Sequence, residues 1–147
     1  NSFTSTKTTT LTTSTNASNG YVIRAFTTGI LTSQNSDTVG AFSGGTYAAP
    51  DEWLGGDTGY GYTSSDTSIQ GINKFNPVTC AGGGSSPCYA PFSATAPGDI
   101  VADHTAAVSG APIVNENFII THRVTTPATQ IAGTYTSEVV YVVNAIY

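Results

Sequence analysis

Side chains able to do acid–base, nucleophilic or metal chemistry are scarce in this sequence: two histidines, nine carboxylates and two cysteines in 147 residues. A Ser–His–Asp relay needs a histidine beside a buried carboxylate and an exposed nucleophile. Asp103-His104 is an adjacent acid–histidine pair, but no G-x-S-x-G elbow presents a serine to it. His122 falls within the alternating series Phe118, Ile120, His122, Val124, the setting of a packed histidine. Glycosidase-type carboxylates must face each other across a cleft. Asp51, Glu52 and Asp57 flank Trp53, but a flexible loop does not impose that geometry. Calcium asks for about six to eight oxygens, usually from a dense acidic loop. Asp51, Glu52, Asp57 and Asp66 match no EF-hand spacing, and the cysteines and histidines are too scattered for zinc. The expectation is a protein that is not an enzyme, with no catalytic residue, metal or cofactor.

Other residues point to binding or covalent stapling. Trp53, Tyr60 and Tyr62, amid glycine and aspartate, have the composition of a sugar-stacking surface; the competing reading packs Trp53 into the core. Asn16-Ala17-Ser18 is an N-glycosylation acceptor in a turn-forming stretch. Cys80 and Cys88 enclose Gly82-Gly83-Gly84, which let the chain turn back until the α-carbons approach within about 5.5–6 Å. They should form a disulfide stapling a surface loop. Lys7, Glu138 and Asn144 have the residue types of an intramolecular Lys–Asn isopeptide, set at opposite ends of the chain. The competing reading is a solvated lysine and an asparagine near a strand end.

Charged residues are only 9% of the chain, and four Lys/Arg against nine Asp/Glu leave a net charge of −5. No cationic cluster is present to displace counterions from nucleic-acid phosphates or to bind an anionic membrane. The longest aliphatic/aromatic run, Val139–Val143, is far short of the roughly 20 residues that span a bilayer, or of a type IV-like pilin helix. Hydroxyls and glycine replace the charges: 25 Thr, 15 Ser and 16 Gly. Threonine fits pleated, half-exposed strands. A first residue that is not methionine, together with a cysteine pair suited to an oxidising compartment, reads as a secreted protein with its leader removed.

The elements follow from this composition. No stretch keeps apolar residues at i, i+3, i+4, i+7 over a useful length, so strands are expected throughout. Residues 1–15 read as an extended Thr-rich N-terminal strand and residues 16–147 as the body. Asn19-Gly20 predicts a hairpin joining the first strand to Tyr21–Thr27. Short strands are expected at Ile30–Ser33, Thr38–Phe42, Tyr60–Thr63 and Ile69–Ile72, with one helical turn within Ala48–Leu54. Longer strands are expected at Ile100–Val108, Asn117–Thr126 and Thr134–Ile146. The last is apolar on both faces, as in a strand between two layers or against another subunit. The period-2 rule assigns Tyr21, Ile23, Ala25, Phe118, Ile120, Val124, Tyr135, Val139, Tyr141 and Val143 to the core, with Tyr135 as a corner tyrosine bonding nearby backbone. The fold class is all-β, a single antiparallel Ig-like or pilin-like β-sandwich with long loops, open to completion by a donor strand.

Two stretches carry a resemblance. Thr12-Thr13-Ser14-Thr15-Asn16-Ala17-Ser18-Asn19-Gly20-Tyr21 resembles a hairpin of secreted bacterial β-sandwich surface proteins. Ala132-Gly133-Thr134-Tyr135-Thr136, followed by a valine-rich strand, is similar to the closing strand of spore-coat and fimbrial-type pilins. The resemblance implies a structural or adhesive role outside the cell. The expected function is a subunit of an extracellular filament, a head-to-tail homopolymer in which the N-terminal strand completes the next subunit through Phe3, Lys7 and Leu11. The alternative is a monomeric adhesin or carbohydrate-binding module that meets glycans through Trp53, Tyr60 and Tyr62.

Overall fold

The computed structural model describes residues 2–78, 80, 86–105 and 111–147. It is all-β, with no helix among the described residues. The strands are β1 (Phe3–Thr15), β2 (Tyr21–Thr27), β3 (Leu31–Ser33), β4 (Thr38–Val39), β5 (Asp51–Glu52), β6 (Gly59–Ser64), β7 (Ser68–Ile69), β8 (Ile72–Asn73), β9 (Cys88–Tyr89), β10 (Asp99–His104), β11 (Ile113–Thr126), β12 (Tyr135–Thr136) and β13 (Val139–Ala145). Two three-stranded antiparallel sheets, β1-β11-β6 and β10-β2-β13, carry the long strands. Smaller sheets are β12-β3-β4, β5-β9 and β7-β8.

The core lies where the two main sheets share apolar rows. Along β2, Tyr21, Ile23 and Ala25 are buried while Val22, Arg24 and Phe26 are half-buried, as alternation requires. Ile120 of β11 and Tyr62 of β6 meet them with Ile69, Phe75, Phe92 and Val101, and Leu11, Phe118, Val139 and Tyr141 pack around this cluster. Burying one such aliphatic side chain contributes roughly 1.5–3 kcal/mol. A second, smaller cluster of Phe42, Trp53 and Tyr89 covers the opposite face of β6 and β11. Gly61 makes room for it: a Cβ there would stand 2.9 Å from the Phe42 side chain and 2.8 Å from the Ala90 carbonyl oxygen.

Several expectations are corrected. The Asn19-Gly20 turn forms, with Gly20 N–H donating to the Ala17 carbonyl, but it does not close a hairpin. β1 pairs with β11, whereas β2 lies between β10 and β13, so the turn carries the chain from one sheet to the other. A register break between Thr13 and Thr15 and the fully buried Ala17 mark this crossing. In place of a helical turn within Ala48–Leu54, Asp51–Glu52 forms a strand with Cys88–Tyr89. Ile69–Ile72 is a tight turn between two short strands. The expected C-terminal strand is two: β12 joins β3 and β13 joins β2. Val143 points to the core side, opposite Ile23, yet is 53% exposed because β13 is an edge. Tyr135 sits outside the main core, and its hydroxyl donates to the Ile131 carbonyl at 2.6 Å, the corner bond anticipated for it. Of Ile100–Val108, strand is seen through His104; residues 106–108 lie outside the described residues.

Cys80 and Cys88 form a disulfide, with α-carbons 6.1 Å apart. It is not on the surface: Cys88 is fully buried and Cys80 nearly so, because Cys88 starts the strand that pairs with β5. Gly82–Gly84, which were expected to permit the closure, lie outside the described residues. Closing so short a loop contributes about 2–3 kcal/mol by restricting the unfolded chain.

Candidate functional site

The site with the most functional content is the docking of β1 on β11. Threonine at nearly every position gives β1 its extended backbone, and alternation turns Phe3, Ser5, Lys7, Thr9, Leu11 and Thr13 toward the core side. The ladder runs from Phe3 opposite Thr126 to Thr15 opposite Ile113. Side chains reinforce it: Thr4 Oγ1 lies 3.1 Å from Thr125 Oγ1, Thr12 donates to Asn117 Oδ1 at 2.6 Å, and Asn115 N–H donates to Ser14 Oγ. β1 holds the sheet through this one edge.

The three residues expected at an interface occupy three stations along β1. Phe3 is 62% exposed and borders an apolar groove of about 520 Å³ with Leu31, Val39, Val124, Ile131 and Tyr135. Lys7 is exposed and faces His122 across the ladder. Leu11 is half-buried opposite Phe118 and joins the core cluster.

Between these stations lies a cluster that the sequence did not reveal. His122 Nδ1 stands 2.8 Å from the Tyr60 hydroxyl, and its Nε2 stands 3.1 Å from Thr9 Oγ1 and 3.2 Å from the Tyr141 hydroxyl. Four strands, β1, β6, β11 and β13, therefore meet on one imidazole, with Phe92 stacked against it. Alternation placed His122 on the core side; its partners come from strands far away in sequence, which no local pattern reports. Thr9 beside a histidine has the outline of a nucleophile–base pair, but the other ring nitrogen faces the Tyr60 hydroxyl where a relay holds a carboxylate. His104 is the histidine with an acid: Glu116 accepts from the Tyr21 hydroxyl at 2.5 Å and lies 3.0 Å from His104 Nδ1. Asp103, its neighbour in sequence, turns away and accepts from Gln70 N–H.

Burial lowers the pKa of His122 from its ordinary value of 6.5, because the ring is held away from the water that would stabilise its charged form. Tyr60, Tyr141, Thr9 and Lys7 face it, and none offers a negative charge to an imidazolium. The unfolded chain then binds a proton at about pH 6.5 that the folded chain resists. Stability is complete above that pH and falls as the pH drops toward the lower folded value. Asp99 and Asp103, raised by burial, act in the opposite direction, adding stability as the pH falls through their raised folded pKa toward the ordinary 3.8. Thermal melting should therefore show a decline in Tm from pH 7.5 to about pH 5.5, and His122→Phe should flatten it. A slope unchanged in that variant would assign the effect elsewhere.

The remaining candidates fall apart spatially. Trp53 is buried on the outer face of β6 and β11, stacked on Phe42 at 4.2 Å with the Arg123 guanidinium over its ring. Tyr60 and Tyr62 are on the inner face, Tyr62 fully buried, so the three rings form no common platform. The loop carboxylates cap backbone amides: Asp51 accepts from Glu52 N–H, Asp57 from Leu54 N–H, Glu52 from Ser86 N–H, and Asp66 from Ser68 and Asp103 N–H. No group of three His, Cys, Asp or Glu able to hold a metal occurs among the described residues. Asn144 pairs with Val22 on the face away from the core, and Lys7, Glu138 and Asn144 are all exposed, where an isopeptide is helped by a buried acid. Asn16 and Ser18 are both exposed in the crossing turn, which leaves the acceptor accessible. No family model, curated protein or solved structure matches this chain.

Proposed function

We propose that this protein is a structural subunit of an extracellular filament, pilus or cell-surface assembly, polymerising by exchange of β1 between neighbours. The observation that carries the proposal is how β1 is held: it pairs with the sheet through one edge, against β11, and its Phe3 borders an open apolar groove. The same ladder, with Leu11 in the core and Phe3 at its groove, forms equally well when β1 comes from another copy. Repetition of that head-to-tail contact yields an open polymer. On this reading the two main sheets are a pilin-like β-sandwich, with β1 as the strand that completes it. The buried disulfide and sparse charge fit an extracellular location. No helix among the described residues is long and apolar enough to cross a membrane.

Deleting Asn1–Ser5 removes Phe3 and the first rungs of the ladder. Electron microscopy should show regular fibres from the intact protein and none from the truncated one. Fibres of unchanged abundance and thermal stability after the deletion would refute strand exchange. The second reading, a monomeric adhesin or carbohydrate-binding module, has lost the shared ring platform. A discrete monomer that binds glycans in the same preparations would restore it.

A further inference from the structure

β13 is an edge strand without the protection given to the other edges of the two main sheets. Among the described residues nothing pairs with it on the side away from β2. Its register with β2 is unbroken, and Val139-Val140-Tyr141-Val142-Val143-Asn144-Ala145 contains no proline and no charge. Natural edges are normally blunted by such features. β10, at the other end of the same sheet, has a register break, and its Asp103 N–H and Ile100 carbonyl are taken by Asp66 and the Tyr47 hydroxyl. β6 is bridged to Ala41 and Ala90. β1 has a register break and Lys7.

The hydrogen bonds at the ends of β13 fix which groups are free. The Glu138 carbonyl accepts from Thr28 N–H, and Ile146 exchanges bonds with Asn19 and Gly20, all on the β2 side. Alternation then directs the N–H and C=O groups of Val139, Tyr141, Val143 and Ala145 to the open edge. We infer that β13 pairs antiparallel with β13 of a second copy about a two-fold axis at Val142, which makes the two β10-β2-β13 sheets continuous.

Self-complementarity selects a copy of this chain as the occupant. With the axis at Val142, Val139 faces Ala145 and Tyr141 faces Val143, so every free backbone group meets its counterpart in a closed, isologous contact. The Tyr141–Val143 pair is aromatic on β-branched, a favourable cross-strand combination, and it covers the exposed Val143. Val142 meets Val142. The nearest acid, Glu138, faces Ile146 and not the other Glu138, so two chains of net charge −5 meet here without opposed carboxylates. The pairing is independent of β1 exchange, because β1 belongs to the other main sheet.

The test uses the residue on the axis. The unpolymerised intact protein should be a dimer by light scattering at micromolar concentration. Val142→Glu and Val142→Lys each place like charges directly opposite and should give monomers with near-native melting, while their equimolar mixture should recover the dimer at low salt. A monomeric wild type, or a dimer indifferent to both substitutions, overturns the inference. Should the charged variants fail to fold, cysteine scanning decides. Val142→Cys should cross-link across the axis and Val140→Cys should not; equal cross-linking or none at either position overturns the pairing. Fibre formation is scored separately by microscopy, so loss of the β13 contact with fibres intact leaves the strand-exchange reading standing.

Discussion

Gly20→Val is expected to lower the melting temperature by about 10 °C or more, the consequence of a loss of at least ~3 kcal/mol in a domain of this size. Two costs act together. Gly20 has φ of 79°, a left-handed conformation that a β-branched residue adopts only under strain. A Cβ at this position would lie 1.6 Å from the His104 carbonyl oxygen, so the backbone of β10 or of the turn must move. The displaced segment is the passage between the two main sheets, where Ala17 is buried and Ile146 N–H donates to the Gly20 carbonyl. Movement there disturbs β2 and the docking of β1 alike. Gly29→Ala is the control, since nothing lies within 4 Å of where its Cβ would stand, and it should melt within a few degrees of wild type. Equal melting of both variants would show that the turn tolerates a different path.

What was legible beforehand is the part of the fold written in local pattern. The β2 row of Tyr21, Ile23 and Ala25, the burial of Ile120, the corner bond of Tyr135 and the Cys80–Cys88 pair all follow from period 2, residue type or short loop closure. Partner choice was not legible. Asn19-Gly20 is compatible with a tight hairpin and equally with a crossing turn, and only the competing edges of β10, β11 and β13 decide between them. The same limit hid the His122 cluster, whose members Thr9, Tyr60 and Tyr141 come from three different strands. The ring platform failed for a related reason: alternation along β6 turns Tyr60 and Tyr62 inward together, while Trp53, on another segment, covers the outer face. Val139 and Val143 show a further limit. Period 2 gives the side a residue faces but not whether its strand lies at an edge, so core-facing valines stay partly in water.

Ile120→Asp should abolish folding, whereas Ile119→Asp, one residue away, should leave it nearly intact. Ile120 is fully buried at the centre of β11, opposite Thr9 on one side and Ser64 on the other. Aspartate there forfeits roughly 2–3 kcal/mol of apolar burial and places an unpaired carboxylate in the core at a further cost of several kcal/mol. That sum is comparable to the whole stability of a typical domain, about 5–15 kcal/mol. β11 is also the strand that holds β1 and β6 in one sheet, so the damage reaches the docking of β1 as well as the core. Ile119 points the other way and is 45% exposed, so a carboxylate there stays in water and should change stability by within about 0.5 kcal/mol. Circular dichroism and thermal melting of the two variants read the register of β11 directly. A one-residue slip turns every side chain to the opposite face, so a folded Ile120→Asp beside an unfolded Ile119→Asp would mean that β11 presents its other face to the core and turns His122 outward.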